Sequence, residues 1–497
     1  MQKSLLTRAI TSTLSLSAVA VEYYVVVPVK GRTAPTPVET ISVSLSAATL
    51  TAARVGKAYT YNLKDHLQVT GDPALDLSQA TLATTDALPQ GLSLASDGVL
   101  SGTPTVKNEA GSSYQVTATY KTKTGQNAYT IVVNGAVLEV LQISTGQLHT
   151  CAVTMSGGVK CWGWDGYGQL GNDTALTNQA TPVDVAGLQT GVARISVGGG
   201  HTCAVTSAGG AKCWGYNSNG QLGDGTTTNR TTPMDVVGLP GVTNISTGDL
   251  HTCAVTTAGA ALCWGADNNG QLGNDAVLTN RHTPAYVAGL TAGVRSISAG
   301  QAATCAVTTA GGARCWGADS VGQLGNDASL TDQPTPVTVS GLATGVASVS
   351  VGLGHTCAVT TSGGVLCWGL DNKGQLGNDA ALINQSTPVD VWGLTTGVAS
   401  ISTGYFSTCV VTTTGGALCW GADNHGELGN DAALIDQPTP VAVAGLTAGV
   451  ASISAGGYHT CMASTSGEAK CWGFDNAGQL GNDAALTGQP RPVDVVP

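Results

Sequence analysis

Hydrophobic positions along most of this chain fall in short runs. From about residue 135 to the end, apolar stretches of four to six residues, rich in Val, Ile and Thr, are separated by Gly, Asn or Asp. Runs of this length between turn residues are typical of β-strands joined by tight turns. No segment there keeps the period of an amphipathic helix. The pattern predicts an all-β protein.

The strand pattern repeats seven times. The first cysteines of successive units are separated by 52, 50, 52, 52, 52 and 52 residues, and the units fill residues 135–497. A unit this short cannot bury a core alone and must pack against its neighbours. All-β repeats of about 40 to 50 residues are typical of propeller blades. We therefore predict a seven-bladed β-propeller whose ends, residues 137–144 and 492–496, lie in one blade or in adjacent strands.

All fourteen cysteines lie in the repeats, as pairs with nine intervening residues. Each pair flanks a strand, a Gly-containing turn and a second strand, which would place the two cysteines opposite each other in a hairpin. An even count at fixed spacing indicates disulfides formed in an oxidising compartment. Reduced thiols and a metal site are alternatives, but the close pairs of zinc ribbons are absent. The predicted bridges join Cys151 to Cys161, Cys203 to Cys213, Cys253 to Cys263, Cys305 to Cys315, Cys357 to Cys367, Cys409 to Cys419 and Cys461 to Cys471.

The repeat consensus, HTCAVTTAGGALCWGADNNGQLGND, closely resembles the repeat of the regulator of chromosome condensation family. Kelch and WD repeats have similar lengths but lack the combination of CWG and GQLG. The resemblance implies a seven-bladed propeller, here of a bacterial extracellular type. The Trp after each second cysteine and the His before most first cysteines recur around the ring, and we expect both to be structural.

Residues 41–134 carry a different signature. Residues 88–94 read LPQGLSL and residues 97–104 read DGVLSGTP. This resembles the Ig module of bacterial surface proteins, whose pattern is LPxGLxL followed by SGTP. Alternating segments such as residues 114–120 agree with a small Ig-like β-sandwich in front of the propeller.

The first forty residues indicate export. Lys3 and Arg8 precede a mildly apolar run, and residues 18–20 form an A-x-A-like cleavage site, so residues 1–20 are predicted to be a signal peptide or a short N-terminal anchor. A faint likeness of residues 18–27 to pilin N-termini is an alternative, although Pro28 ends that run short of a membrane helix. Residues 21–40 are read as a linker. The predicted location is secreted or cell surface, with membrane contact at most through the N-terminus.

Charge and motifs argue against several functions. The chain has 20 Lys and Arg against 31 Asp and Glu, with no basic cluster, which argues against nucleic acid. A nucleophile elbow, a P-loop and an HExxH motif are absent. The GxGxxG at residues 166–171 precedes no helix, and the turn at residues 267–270 lacks the Glu of a calcium loop. We expect no enzyme activity, no cofactor and no metal.

Positions that differ between otherwise similar units are candidates for binding. Two sets vary most: the residue pair just before each first cysteine, and the residues just after each Cys-Trp-Gly. Both lie where the central hairpin of a blade starts and finishes, on what we name the top face. The aromatic residues there come from blades six, seven, one and two, and predict one contiguous binding arc of Trp164, Tyr167, Tyr216, Tyr405, Phe406, Tyr458 and Phe474. Drift after duplication is the alternative explanation.

These observations predict an exported or cell-surface binding or adhesion scaffold, whose partner is an unknown protein or glycan. A secreted propeller inhibitor of an enzyme, like the β-lactamase inhibitor that shares this repeat class, is an alternative. A propeller hydrolase or lyase is another. Guanine nucleotide exchange, as in the eukaryotic namesake of the family, is disfavoured because the disulfides indicate the wrong compartment.

Overall fold

The computed structural model describes residues 40–173, 176–274, 278–327, 330–379, 382–483 and 486–497. The chain divides into two compact units, one ending at Val133 and one running from Asn134 to Pro497. The signal peptide or anchor and nearly all of the linker, predicted for residues 1–40, lie outside the described residues. Within those residues, no helix has the length and apolar character needed to cross a membrane.

The first unit is a small β-domain. Its strands are β1 (Ser42–Leu45), β2 (Ala53–Arg54), β3 (Tyr59–Asn62), β4 (Leu67–Thr70), β5 (Thr81–Ala83), β6 (Leu92–Leu94), β7 (Val99–Gly102), β8 (Asn108–Tyr120) and β9 (Lys123–Asn134), with short 3-10 helices at Leu63–His66 and Leu77–Gln79. The sheets run β2-β9-β8-β5, β3-β7-β6 and β1-β4. Alternate residues of the β8–β9 hairpin, including Tyr114, Tyr120, Tyr129 and Ile131, are buried in the core, as the period of a strand requires.

The second unit contains seven blades, each a sheet of four consecutive antiparallel strands. Blades one to three are β10–β13 (Val140–Thr145, His149–Thr154, Val159–Gly163, Gln179–Asp184), β14–β17 (Val192–Val197, His201–Thr206, Ala211–Gly215, Arg230–Asp235) and β18–β21 (Val242–Thr247, His251–Thr256, Ala261–Gly265, Arg281–Tyr286). Blades four and five are β22–β25 (Val294–Ala299, Ala303–Thr308, Ala313–Gly317, Gln333–Thr338) and β26–β29 (Val346–Val351, His355–Thr360, Val365–Gly369, Gln385–Asp390). Blades six and seven are β30–β33 (Val398–Thr403, Ser407–Thr412, Ala417–Gly421, Gln437–Ala442) and β34–β37 (Val450–Ala455, His459–Ser464, Ala469–Gly473, Gln489–Asp494). The predicted all-β propeller is confirmed.

A disulfide joins the two central strands of every blade. In blade one, Cys151 on β11 lies directly opposite Cys161 on β12. The two Cα atoms are 4.1 Å apart here and in the other six bridges, and the cysteines are fully buried. The spacing in the sequence produces this pairing because a symmetric hairpin turn brings equidistant residues into register.

Two repeated side chains connect neighbouring blades. The buried indole Nε1 of Trp162 donates a 3.0 Å hydrogen bond to the carbonyl oxygen of Gln479 in blade seven, and the same bond recurs in the other blades. His149 Nε2 shares a 3.0 Å hydrogen bond with Thr202 Oγ1 of blade two. Burial lowers the pKa of His149 to about 3, so the ring is neutral at physiological pH. Both repeated residues are therefore structural, as expected.

Blade seven packs against blade one and closes the ring. The N–H of Leu138 donates a 2.8 Å hydrogen bond to the carbonyl of Val495, and the N–H of Ala469 donates a 3.0 Å bond to the carbonyl of Leu138. Trp162, Leu480 and Val495 share one buried cluster. The two ends of the propeller segment thus meet, as predicted, although their strands belong to different blades. Each blade takes its four strands from one continuous segment, so no blade is built from both ends.

Glycine surrounds the propeller axis. A Cβ on Gly146 would collide with the carbonyl oxygen of Gly198 in the next blade, and the relationship continues around the ring to Gly456, whose Cβ would collide with the carbonyl oxygen of Gly146. Only glycine allows the innermost strands to approach this closely. The cavity that remains on the axis is about 80 Å³.

Candidate functional site

Three aromatic residues of blades one and two form a connected group, which we call the aromatic trio. The ring of Trp164 meets Tyr167 edge-on at a centroid distance of 5.1 Å, and the ring of Tyr167 lies 4.5 Å from that of Tyr216. Tyr167 is 37% exposed, and the other two rings are half-buried. All three therefore present ring surface to solvent on the top face.

A second aromatic group lies on blades six and seven. Tyr458 is 5.9 Å from Tyr405 and 6.1 Å from Phe474, and His425 packs 4.7 Å from Phe474. Phe406 lines a cavity of about 120 Å³ together with Tyr458 and His425. These residues are half-buried, and the cavity beside them is small.

The predicted single arc is therefore divided in two. Among the described residues, no ring contact joins the aromatic trio to the group on blades six and seven. The reason lies in the residue pair before each first cysteine. Tyr405 and Asp249, which are first in their pairs, line the axis, whereas Phe406 and Tyr458, which are second, line the small cavity away from it. In blade six the pair forms a bend, which places Tyr405 at the axis and Phe406 at the small cavity. In blades three and four, by contrast, both residues of the pair line one larger cleft.

A cleft of about 570 Å³ opens beside the aromatic trio. Its far side comes from blades three and four, which the sequence prediction left out of the site. The side chains that line the cleft in addition to the trio are Gln147, Asp249, Leu250, Asn268, Asn269, Gln271, Gln301 and Ala302. A volume of this size is within the range of about 300–1,000 Å³ found for small-ligand sites.

Asp249 is the one charged side chain among the described residues that line the cleft. Its Oδ1 accepts a 2.9 Å hydrogen bond from the hydroxyl of Tyr405, which reaches it from blade six. Burial raises the pKa of Asp249 to about 6, and the bond from Tyr405 opposes that rise. The carboxylate is therefore the ionised form at neutral pH, and it adds one negative charge to a neutral surface.

Several hydrogen-bonding groups in the cleft have no partner within the described part of the chain. They include the Nε1 of Trp164, the hydroxyls of Tyr167 and Tyr216, and the carboxamides of Gln147 and Gln301. The seven repeated tryptophans, by contrast, all donate from Nε1 to a backbone carbonyl. The unpaired groups are available to a ligand.

Comparison of the units in sequence also points to Asp249 and Gln301, because both occupy a variable position four residues before a first cysteine. The restriction of binding candidates to aromatic residues excludes both. Asn268 lies in the variable loop after Cys-Trp-Gly. The turn at residues 267–270, considered above for calcium, uses Asp267 Oδ1 to accept from the N–H of Leu272. No group of three or more acidic, His or Cys side chains suited to a metal occurs in the described ranges.

Comparison with protein families matches the repeats and the preceding module separately. The RCC1-like domain matches residues 107–433 and 237–497. The chain belongs to the RCC1-like family. The family named "Putative Ig domain" matches residues 39–134. Both resemblances that the sequence motifs indicated are thus confirmed.

Similar proteins share the propeller. The ultraviolet-B receptor UVR8 of Arabidopsis thaliana is 31% identical over 350 residues, which is 69% of this chain and 67% of that protein. The mitochondrial RCC1 domain-containing protein RUG3 of the same plant is 31% identical over 337 residues, or 65% of each chain. This RCC1-like chain thus spans about two thirds of the length of these relatives.

Solved structures agree with the fold. Human WBSCR16 has a TM-score of 0.60 at 22% identity, over 68% of this chain and 93% of that one. Yeast RCC1 (Prp20), solved with Kap60 bound to it, has a TM-score of 0.61 at 19% identity, over 72% of this chain and 85% of that one. At these identities the likeness shows the RCC1-like propeller fold. Membership of the family supports a role as a protein-interaction scaffold.

Proposed function

We propose that this RCC1-like chain is an exported or cell-surface binding protein that holds its partner on the top face, in the cleft beside the aromatic trio. The cleft carries the proposal, because it combines a concave surface of about 570 Å³, three partly exposed aromatic rings and several unpaired hydrogen-bonding groups. Aromatic side chains contribute much contact area for little loss of rotamer entropy, which makes them frequent binding hot spots.

The scaffold around the cleft supports the same role. Seven buried disulfides and a closed ring hold the loops of the top face on rigid strands. Disulfides in this number are typical of proteins from oxidising compartments, which favours export. The Kap60 complex of yeast Prp20 is an example of a partner bound by a protein of this fold.

The test is capture of partners from cell-envelope material by the purified full chain. Trp164→Ala combined with Tyr216→Ala removes two walls of the cleft and should abolish capture. Trp392→Ala is the matched control, because this indole is 64% exposed and does not line the cleft. The control should capture as well as the unmodified protein.

Melting curves separate loss of binding from loss of fold. We expect the cleft variant to melt within a few degrees of the unmodified protein, because Trp164 and Tyr216 are only half-buried. Full capture by a folded cleft variant would overturn the proposal. Capture lost equally in the Trp392 control would do so as well.

A further inference from the structure

The lining of the cleft indicates which chemical class of partner it fits. Apart from Asp249, the polar groups are carboxamides, tyrosine hydroxyls and an indole N–H, and no Lys, Arg or His lines the cleft among the described residues. A phosphate, sulfate or carboxylate ligand would meet a negative charge and no cation, and desolvating such an anion without a partner is costly. The cleft therefore favours a ligand that is neutral or positively charged.

The unpaired hydrogen-bonding groups further limit the chemical class of the ligand. Carboxamides both donate and accept, hydroxyls do the same, and the Trp164 indole donates. Gln147, Gln301 and Asn268 approach the cleft from three different blades, and none of their side chains has a partner in the described part of the chain. A ligand that satisfies them must carry many neutral donors and acceptors spread over its surface. Polyhydroxyl compounds have this property, because each hydroxyl both donates and accepts.

The aromatic trio adds an apolar contact to this polar surface. The ring planes of Tyr167 and Tyr216 differ by 35°, and Trp164 stands at 78° to Tyr167, so the three rings form an angled wall and not a flat platform. A sugar ring has a face of C–H groups and an edge of hydroxyls, and can pack that face on an aromatic ring while its hydroxyls bond to amides. The aromatic wall of this cleft suits the C–H face of a sugar ring, and its polar groups suit the hydroxyls.

We propose that the cleft beside the aromatic trio binds a neutral glycan, with Trp164 and Tyr216 packing against sugar rings and Gln147, Gln301 and Asn268 bonding to hydroxyls. Asp249, held by Tyr405, accepts hydrogen bonds from further hydroxyls on the side nearest the axis. This inference deepens the proposed function, since it names the partner class of the same site.

The experiment applies the full chain, made in an oxidising compartment, to an array of neutral oligosaccharides that includes glucose, mannose, galactose and N-acetylglucosamine polymers. Sialylated and sulfated forms of the same backbones are the matched probes. We expect binding to at least one neutral series and at least tenfold weaker binding to its anionic counterpart. Titration calorimetry with the best neutral oligosaccharide then measures the variants.

Three variants assign the contacts. Trp164→Ala should weaken binding at least tenfold, Trp164→Phe should lose less because it keeps a ring, and Trp392→Ala should bind as the unmodified chain does. Gln301→Ala is a further test with little risk to folding, since this side chain is exposed, and it should weaken binding several-fold. Unchanged binding in both Trp164→Ala and Gln301→Ala would overturn the glycan site.

The outcomes also separate this inference from the proposed function. No binding to any neutral oligosaccharide, or preference for the anionic forms, would overturn the glycan assignment. If envelope capture then still depends on Trp164 and is lost after protease treatment of the envelope, the cleft binds a protein and the proposed function stands. If capture is independent of the cleft, both are wrong.

Discussion

The hydroxyl of Tyr405 donates a 2.9 Å hydrogen bond to the carboxylate of Asp249, although the two residues are 156 positions apart. Tyr405 belongs to blade six and Asp249 to blade three, so the bond crosses the top of the propeller axis between blades that are not neighbours. It also joins the two groups of binding candidates, since Tyr405 packs with Tyr458 while Asp249 lines the cleft.

Tyr405→Phe should destabilise the protein more at alkaline than at acidic pH, because it removes a hydrogen bond to the ionised Asp249. Burial raises the pKa of Asp249 to about 6 and the Tyr405 bond lowers it, so removal of the bond should move the pKa above 6. The bond is strongest to the carboxylate, and the loss of unfolding free energy should therefore be about 1 kcal/mol at pH 8 and smaller at pH 4.5. Chemical denaturation at the two pH values measures this. An equal loss at both would contradict it.

Seven disulfides, each within one hairpin, should be found by peptide mapping under non-reducing conditions. Replacement of Cys305 and Cys315 by Ala removes the bridge of blade four, and should lower the unfolding free energy by about 2–3 kcal/mol because the unfolded chain regains the entropy of the closed loop. Free thiols in the unmodified protein, or bridges between blades, would show that the pairing is different.

Val495→Ala should destabilise the propeller through the contact that closes the ring. Val495 is fully buried against Trp162 and Leu480, so loss of two methyl groups should cost about 2 kcal/mol. Val496→Ala is the control one residue away, since that side chain is only partly buried. Thermal melts of both variants measure the difference in stability. Equal melting temperatures would argue that the contact that closes the ring contributes little to stability. Deletion of residues 490–497 should lower the melting temperature further.

His201→Ser should reduce the loss of stability on acidification. Burial lowers the pKa of His201 to about 3 from an ordinary value of 6.5, so only the unfolded chain takes up its proton between those values. The buried neutral imidazole of His201 therefore lowers the free energy of unfolding as the pH falls below 6.5. Blade six carries Ser407 at this position and keeps the same strands, which makes Ser a tolerated replacement.

The comparison must be made against the unmodified chain at each pH. Besides Asp249, burial raises the pKa of five further aspartates to about 6. Their contribution to the free energy of unfolding has the opposite sign, because it is present below the ordinary value near 4 and is lost as pH rises through 6. They are Asp165, Asp319, Asp371, Asp423 and Asp475. The difference in melting temperature between variant and unmodified protein should shift in favour of His201→Ser from pH 8 to pH 5. A constant difference would argue against the buried neutral ring.

Much of the fold could be predicted because it is set by short-range spacing. The interval from Cys151 to Cys161 defines a hairpin by itself, and the recurrence of Trp162 at every blade junction follows from the repeat period. The contact between Leu138 and Val495 could also be predicted from the sequence, because the first and the last repeat each lack one neighbouring repeat along the chain. That the ends lie in different blades depends on where the first blade starts its innermost strand, which the repeat period alone does not define.

The site was harder to predict because it depends on side-chain direction. The variable positions predict the top face as the binding surface and place Tyr405 and Phe406 together on it. The bend at these two residues places Tyr405 at the axis and Phe406 at the small cavity, and the sequence pattern does not define that bend. Gln301 does not stand out in the sequence for a related reason, since an amide becomes informative only when the structure shows it in the same cleft as the aromatic residues and without a partner.

The placement of the bridges also determines how the molecule responds to mechanical load. Every disulfide closes a hairpin inside one blade, and none of the seven spans a blade junction. Pulling on the two ends can therefore peel blades from the ring without breaking a covalent bond. In each released blade the disulfide keeps ten residues from extending, which corresponds to about 35 Å of extended chain. The gain in length when one blade unfolds under force should therefore be shorter by that amount than in the reduced protein. The seven disulfides therefore limit the extension of individual blades and do not hold neighbouring blades together.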